Sequence, residues 1–198
     1  MKYYKKIEGK RVYLSPVNPE DVEKNIEWSN DLSLTAKVGM ATYHYGCLNT
    51  SEELSNMSRD GAFYSIILKT NNRLIGNCNF FNIDHINRTS EMAIIIGNKE
   101  DRFKGYGREA IELIVSYGFK VMNLNNIMVK IFAFNKSAIK TFKNVGFKVA
   151  GKRRECYYLN GNYYDEIYME VLQSEYSSNY LEEKLNFSDI IIIKRGIS

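Results

Sequence analysis

Residues 102–110 read RFKGYGREA and place two glycines and three cations directly before a stretch with helical periodicity. The cations are Arg102, Lys104 and Arg108, and the glycines are Gly105 and Gly107. A basic glycine turn that opens a helix attracts phosphate, because the first N–H groups of a helix have no intrahelical partner and the helix dipole is positive there. We therefore predict that this turn binds a phosphate group. The alternative is a turn without a ligand.

The elements on either side of the turn distinguish between kinds of phosphate loop. SEMAIII at 90–96 predicts a strand, helical spacing of apolar residues predicts a helix over 109–122, and NIMVKIFAF at 126–134 predicts the next strand. In a dinucleotide-binding unit the glycines follow the first strand at once and a carboxylate ends the second. Here residues 97–104 intervene, and the second strand has no carboxylate. A nucleotide-binding module is therefore disfavoured, and no Gly-Lys-Ser/Thr sequence indicates an NTPase P-loop.

The rest of the chain alternates predicted strands and helices. One helix begins at the N-cap Asn18 and ends near Asn30, and a capping box of Thr50 and Glu53 starts another. Further elements are strands at 11–16, 62–69 and 73–81, a helix from the N-cap Asn135 to the stop at Gly146, and two strands hinged on Asn160-Gly161. The predicted order is β-α-α-β-β-β-α-β-α-β-β, with residues 31–49 as a loop.

Composition limits the kind of protein. A chain of 198 residues with 44% hydrophobic and 25% charged residues suits one globular domain, which we place at 1–172, with a C-terminal extension at 173–198. Three cysteines without CxxC spacing indicate neither a disulfide framework nor a zinc site, and no metal is expected. No apolar run is long enough to span a membrane, and a net charge of +4 is too small to indicate nucleic acid. We expect a cytoplasmic protein, monomeric or homodimeric.

Four motifs resemble the GNAT acetyltransferase superfamily, and within it the RimJ/RimL-like and spermidine acetyltransferases. They are SEMAIIIG, RFKGYGREAIELIVSYGF, NKSAIKTFKNVGFKVAG and NGNYYDEIYM, in that order. The resemblance covers about residues 10–172. It implies an α/β (α+β) fold with a central, mixed, largely antiparallel twisted sheet of about seven strands flanked by helices. A V-shaped splay between the fourth and fifth strands would admit the pantetheine arm of acetyl-CoA.

The resemblance assigns the binding of acetyl-CoA, the acyl donor, to three parts of the chain. The backbone of Ile94, Ile95 and Ile96 would pair with the pantetheine arm, and Asn135 would hydrogen-bond the arm from the other side. The pyrophosphate would bind to the turn formed by Arg102, Phe103, Lys104, Gly105, Tyr106, Gly107 and Arg108. Phe103 departs from the family pattern, because relatives often carry glycine there.

The expected reaction is direct attack of a primary amine on acetyl-CoA in a ternary complex. A primary amine is mostly protonated near neutral pH, so a carboxylate or a water chain must accept its proton. The resemblance gives this role to Glu91 and an oxyanion-stabilising N–H to Ile94; alternatively, Glu91 is a strand-edge carboxylate paired with Arg88. The family's proton-donating tyrosine corresponds to Phe142, which can only pack against the cofactor. The acid would then be Tyr157, Tyr158 or water.

The acceptor is left open by the sequence. A polyamine, an amino-sugar, an antibiotic amine and a peptide N-terminus all fit a primary-amine acceptor. Several carboxylates lie where such pockets form, namely Glu20, Glu27, Asp31, Glu52, Glu53 and Asp84. Because Phe142 cannot donate a proton, the alternative function is a non-catalytic acyl-CoA-binding regulatory protein.

Overall fold

One sheet of eight strands runs through the described part of the chain, in the order β1-β2-β3-β4-β5-β6-β8-β7. The computed structural model describes residues 3–43, 46, 62–177 and 180–181. The strands are β1 (Ile7–Glu8), β2 (Val12–Pro16), β3 (Phe63–Leu68), β4 (Arg73–Asp84), β5 (Thr89–Ile96), β6 (Asn126–Phe132), β7 (Lys148–Leu159) and β8 (Asn162–Leu172). Neighbouring strands are antiparallel except β5 and β6, which are parallel.

Four α-helices flank the sheet in the described ranges. They are α1 (Val22–Asn30), α2 (Leu32–Thr35), α3 (Tyr106–Lys120) and α4 (Lys136–Val145). Short 3-10 helices occur at Pro19–Asp21, Lys99–Asp101 and Gln173–Glu175. The predicted caps are confirmed: the side chains of Asn18 and Asn135 accept hydrogen bonds from helix N–H groups, and Gly146 ends α4 in the left-handed region with φ 113°.

The predicted splay in the sheet is confirmed at the parallel pair. Thr89, Ser90 and Glu91 of β5 pair with residues 126–128 of β6, and the paired register ends there. From Met92 onward β5 continues along β4, whereas β6 continues along β8. The two strands therefore diverge toward their carboxyl ends, where α3 and α4 begin.

The sheet buries a hydrophobic cluster on each face. On the α3 face, buried residues of the strands pack with α3 and α4, among them Met92, Ile127, Val129, Ile111, Ile114 and Phe142. On the opposite face, which we call the α1 face, Trp28 and Leu34 pack with strand residues that include Tyr13, Ile67 and Ile95. Because strand residues alternate between faces, Glu91, Lys130 and Phe132 lie on the α1 face.

Several details differ from the sequence expectations. The strand β1 was not predicted, so the sheet has eight strands instead of seven, and the predicted loop at 31–49 contains α2. The helix predicted from Thr50 lies outside the described residues. Of the C-terminal extension, the described Tyr176, Tyr180 and Leu181 pack against the α3-face core, and its division from the domain stays a prediction. No helix in the described ranges is both long and apolar enough to cross a membrane.

Candidate active site

A cavity of about 220 Å³ lies where β5 and β6 diverge. On one side it is lined by Ile111 of α3 and Ala138 of α4, and on the other by Leu34, Lys37 and Val38 at and after α2. These groups come from opposite faces of the sheet. The cavity therefore passes through the sheet, so that two molecules can meet in it from opposite sides.

Most of the residues predicted to bind the acyl donor line this cavity. They are Ile94, Ile95, Ile96, Arg102, Phe103, Gly105, Gly107, Arg108, Asn135 and Phe142. Lys104 and Tyr106 belong to the same turn but do not line the cavity, and neither do Glu91 and Tyr158. The structure thus brings together residues from β5, the glycine turn and α4.

The glycine turn requires glycine at Gly105. Its φ of 83° is disfavoured for residues with a side chain, and an added Cβ would lie 3.0 Å from Nη2 of Arg11. Gly105 is the N-cap residue of α3 and has no side chain that could accept from the first N–H groups of the helix. At Gly107 an added Cβ would lie 3.4 Å from Cγ1 of Ile96. Gly105 therefore leaves the first N–H groups of α3 without a capping side chain, which fits the pyrophosphate of a coenzyme.

Arg11 holds the turn from the far side and was not identified from the sequence. Its Nη1 donates to the carbonyl oxygen of Lys104 at 2.8 Å, and its guanidinium lies 5.1 Å from the ring centroid of Tyr106. The buried carboxylate of Glu109 accepts from the backbone N–H of Arg11 at 2.7 Å and from its Nε at 3.0 Å. Glu109 also accepts from the N–H of Val12 at 3.3 Å. The first turn of α3 is thereby fixed to the start of β2.

The cations of the turn are less free than the sequence suggests. Arg102 donates from Nε to the carbonyl oxygen of Ile96 at 3.0 Å and from Nη2 to that of Gly97. It therefore braces the end of β5 and occupies a carbonyl that was predicted to pair with the pantetheine arm. Arg108 forms an ion pair with Glu112 at 2.8 Å. The charges of Arg102 and Arg108 are thus partly committed to the protein.

A network links this region to α1. Nη1 and Nη2 of Arg73 each donate to the carboxylate of Asp101 at 2.7 Å, and Asn98 donates to the same carboxylate at 3.3 Å. Asn98 accepts in turn from Nε1 of Trp28 at 3.1 Å. Burial opposes ionisation of Asp101, but the hydrogen bonds from Arg73 and Asn98 outweigh it and hold the pKa of Asp101 below its ordinary value. The approach to the glycine turn is therefore anchored to α1.

The α4 side of the cavity presents an amide and an apolar ring. Oδ1 of Asn135 accepts from the N–H of Ala138 at 3.3 Å and from the hydroxyl of Ser137 at 3.1 Å. Its amide nitrogen is the atom that can donate to a ligand. Phe142 is 3% exposed and packs edge-to-face on Phe147, with 5.0 Å between the ring centroids. This position therefore supplies packing and no proton.

Glu91 lies at the vertex of the splay, where β5 and β6 are still paired. Its carboxylate forms an ion pair with Lys130 at 2.8 Å and accepts from the amide nitrogen of Asn82 at 3.0 Å. Burial raises the pKa of Glu91, but these hydrogen bonds outweigh burial, so the pKa lies below its ordinary value. The alternative interpretation, in which Glu91 pairs with Arg88, is wrong: Arg88 donates instead to the carbonyl oxygen of Asn123 and to Oε1 of Gln173.

The structure does not bring Tyr158 to the cavity. Its side chain is 61% exposed and packs on Tyr163 near the tip of the β7–β8 hairpin, with ring centroids 5.0 Å apart. The neighbouring Tyr157 points to the α1 face, where it stacks on Phe132 at 4.0 Å and its hydroxyl donates to the carbonyl oxygen of Ala36 at 3.3 Å. Adjacent strand residues point to opposite faces, which separates the two tyrosines. Tyr158 is therefore not placed to protonate a group in the cavity.

Aromatic rings form a wall beyond Glu91 and Lys130 on the α1 face. Phe134 stacks on Phe132 at 5.7 Å and meets Tyr164 edge-to-face at 4.8 Å. We call Phe132, Phe134, Tyr157 and Tyr164 the aromatic wall. Gly39, in the turn after α2, lies so close to Phe132 that an added Cβ would be 3.1 Å from its ring. The aromatic wall and this turn flank the side of the cavity opposite α3.

In the described part of the chain, no group of three His, Cys, Asp or Glu residues is placed to hold a metal ion.

Three of the carboxylates predicted near an acceptor pocket interact with residues close to them in the sequence. Glu27 pairs with Lys24 at 2.6 Å, Asp31 caps α2, and Asp84 accepts from the turn at Ile86 and Asn87. Glu52 and Glu53 lie outside the described residues.

Comparison with known proteins establishes the family. The sequence profile of the acetyltransferase (GNAT) domain matches residues 14–168. The spermidine N(1)-acetyltransferase of Vibrio cholerae is 31% identical over 134 residues, which cover 67% of this chain and 77% of that protein. The spermidine N(1)-acetyltransferase of Escherichia coli is 33% identical over 98 residues, which cover 50% of this chain and 52% of that protein.

Solved structures share the fold. The spermidine N-acetyltransferase of Vibrio cholerae, solved in complex with CoA and spermine, superposes with a TM-score of 0.74 at 26% identity and covers 87% of this chain and 99% of its own. A GNAT-family acetyltransferase from Bacillus anthracis gives a TM-score of 0.74 at 21% identity, covering 85% of this chain and 99% of its own. The matched profile spans the splayed strands and the glycine turn described above. The chain therefore belongs to the GNAT family of acetyl-CoA-dependent N-acetyltransferases.

Proposed function

We propose that this protein transfers the acetyl group of acetyl-CoA to a primary amine of a polyamine, by direct attack within a ternary complex. The observation that carries the proposal is the cavity that passes through the sheet at the splay. Donor and acceptor can enter it from opposite faces and meet without a covalent enzyme intermediate. The glycine turn lies at the donor end, and the aromatic wall lies on the acceptor side.

The donor site is built from backbone groups more than from charge. The start of α3 offers N–H groups to the pyrophosphate, because its N-cap Gly105 has no side chain that accepts from them. Beyond Glu91, β5 no longer pairs with β6, so apart from the carbonyl of Ile96, which accepts from Arg102, its edge can pair with the pantetheine arm. Asn135 can donate to the arm from α4. The N–H of Ile94 is the proposed donor to the carbonyl oxygen as negative charge develops on it.

Glu91 is proposed to receive the proton of the attacking amine, directly or through water. With its pKa held below the ordinary value, the carboxylate stays ionised at neutral pH and attracts a cationic amine. A weakly basic carboxylate passes the proton onward more readily than it retains it. Lys130 fixes the position of the carboxylate and keeps it ionised.

The leaving thiolate is proposed to depart without a protein acid. Phe142 occupies the position of the family's tyrosine, and Tyr158 lies on the surface. A thiol with a pKa of about 8.5 is a tolerable leaving group at neutral pH. Turnover without this acid is therefore feasible, and adding one should accelerate it.

A polyamine is favoured among primary amines by the relatives and by the α1 face. The matched relatives from Vibrio cholerae and Escherichia coli act on spermidine. The aromatic wall offers ring faces that bind ammonium groups and the methylene segments between them. Glu166, opposite Phe132 on β8, adds a carboxylate beside this wall.

The acceptor is tested by measuring thiol release from acetyl-CoA with spermidine, spermine, amino-sugars, aminoglycosides and short peptides, together with mass analysis of the product. We expect thiol release that depends on spermidine or spermine, and we expect an acetylated polyamine as the product. Selective acetylation of another amine would overturn the polyamine assignment and keep the reaction. CoA binding without release for any amine would instead support a non-catalytic acyl-CoA-binding protein.

The role of Glu91 is tested with a matched pair of substitutions. Glu91→Gln and Asp165→Asn each remove the carboxylate from an ion pair of 2.8 Å, with Lys130 and Lys152 respectively. The Glu91 variant should lose about 100-fold or more in kcat with little change in KM for acetyl-CoA. The Asp165 variant should keep its turnover. Equal activity of the two variants would remove Glu91 from the mechanism.

A further inference from the structure

Phe103 occupies an unusual position in the glycine turn. Its side chain is 88% exposed although it is an apolar ring, and its φ is 61°, in the left-handed region that bulky residues rarely adopt. Within the described part of the chain the ring packs against no other aromatic ring and no cation. The protein's own packing therefore does not account for a phenylalanine here.

Both unfavourable features lie at the edge of the donor site. Phe103 lines the same cavity as Gly105 and Arg108, next to the place where the pyrophosphate is proposed to bind. Sparsely populated backbone conformations in folded proteins cluster at active sites and ligand sites. Glycine would adopt this φ without strain, so the aromatic side chain needs a separate reason.

The geometry of coenzyme A supplies such a reason. With the arm between β5 and β6 and the pyrophosphate on the start of α3, the adenosine end of the coenzyme must lie outside the cavity, on the solvent side of the turn. Phe103 belongs to that turn, lines the cavity and is 88% exposed, so its ring is accessible to a ligand there. We propose that Phe103 stacks on the adenine ring of bound coenzyme A and so provides the main contact of the protein with the nucleotide base.

This proposal rests on the donor site of the proposed function and adds a contact to it. Stacking of an aromatic side chain on a base is sequence-tolerant and corresponds to roughly 5- to 160-fold in affinity. It needs a flat, accessible ring and no fixed hydrogen-bond partner. Burial of the ring by the base would also remove its apolar surface from water.

The test is a calorimetric titration, which needs neither an acceptor nor turnover. Wild-type protein, Phe103→Leu and Phe103→Tyr are titrated with CoA and with 4′-phosphopantetheine, which lacks the nucleotide. Leucine keeps an apolar side chain and the same backbone penalty but has no ring, whereas tyrosine keeps the ring. We expect Phe103→Leu to weaken CoA binding about tenfold and to leave 4′-phosphopantetheine binding unchanged, with wild-type affinity in Phe103→Tyr.

Tyr163→Leu is the control for loss of an exposed aromatic ring elsewhere, since Tyr163 is 64% exposed and lies at the hairpin. It should bind both ligands as the wild type does. Equal weakening of CoA and 4′-phosphopantetheine by Phe103→Leu, or no weakening of either, would overturn the stacking proposal while leaving the donor site intact. Failure of the wild-type protein to bind CoA would instead overturn the donor site itself.

Discussion

Gly105→Ala, compared with Gly161→Ala, separates the role of the glycine turn in cofactor binding from its role in folding. The two glycines have nearly the same conformation, with φ of 83° and 78°. Their surroundings differ: an added Cβ at Gly105 would lie 3.0 Å from Nη2 of Arg11, whereas an added Cβ at Gly161 meets nothing within 4 Å. Gly161 lies in the β7–β8 hairpin turn, outside the residues that line the cavity.

The backbone cost should be similar in both variants. A residue with a Cβ in the left-handed region costs about 1–2 kcal/mol, and the lower entropy of the unfolded alanine chain offsets about 0.4–1 kcal/mol of it. A net loss of about 1 kcal/mol corresponds to a thermal midpoint lower by about 2–4 °C for a chain of this size. Both variants should therefore remain folded at 25 °C.

Cofactor binding should distinguish them. At Gly105 the new methyl group would lie 3.0 Å from Nη2 of Arg11, so Arg11 must shift and its hydrogen bond to the carbonyl oxygen of Lys104 is disturbed. Because Arg11 holds the turn that is proposed to bind the pyrophosphate, we expect KM for acetyl-CoA to rise about tenfold or more, as for the loss of 1.4 kcal/mol. Gly161→Ala should keep the wild-type KM. Steady-state kinetics with varied acetyl-CoA, combined with thermal unfolding, provides the comparison. An unchanged KM in a folded Gly105→Ala protein would refute the assignment of the turn.

Three further substitutions test other parts of the site. Glu109→Gln replaces the oxygen that accepts from Nε of Arg11 with a donor, so it should cost about 2 kcal/mol of unfolding free energy, measured by urea denaturation, and raise KM for acetyl-CoA. Phe142→Tyr places a hydroxyl at the position of the family's acid and should raise kcat; an unchanged kcat at saturating substrates would show that thiolate departure does not limit turnover. Lys130→Met removes the ammonium group that lowers the pKa of Glu91, so that only the hydrogen bond from Asn82 still opposes the effect of burial. The pKa of Glu91 should therefore rise. Glu91 is then protonated, and loses its ability to accept a proton, at a higher pH than in the wild type. The acid limb of the pH profile of kcat/KM should therefore move to higher pH. An acid limb at the wild-type pH would show that it does not report the protonation of Glu91.

Local signals predicted the elements that position the donor site. The N-cap Asn135, the stop at Gly146 and the hairpin pair Asn160-Gly161 each act within a few residues, and the structure confirms all three. The glycine turn was likewise recognisable as the start of a helix, because its seven residues are adjacent in the sequence. Its role in phosphate binding stays a prediction. Such features depend on local backbone geometry, which sequence encodes directly.

Long-range contacts could not be predicted in the same way. Arg11 and Glu109 are 98 positions apart, and their contact depends on how β2 lies against α3. The pairing of Glu91 with Lys130 follows from the register that places Glu91 opposite Met128 across a parallel pair. Tyr157 and Tyr158 could not be told apart because register irregularities in β7 interrupt the alternation of its faces. In each case the decisive quantity is a strand register or a helix position, which sequence patterns alone leave open.

Acetyl-CoA is proposed to bind in the splay between β5 and β6, with its pyrophosphate on the start of α3. A crystal structure of the protein with CoA and a polyamine tests this most directly. We expect the pantetheine arm along Ile94–Ile96, the phosphates at Gly105–Arg108, and the amine on the α1 face within reach of Glu91. Coenzyme bound away from the splay, or an amine entering from the α3 face, would contradict it.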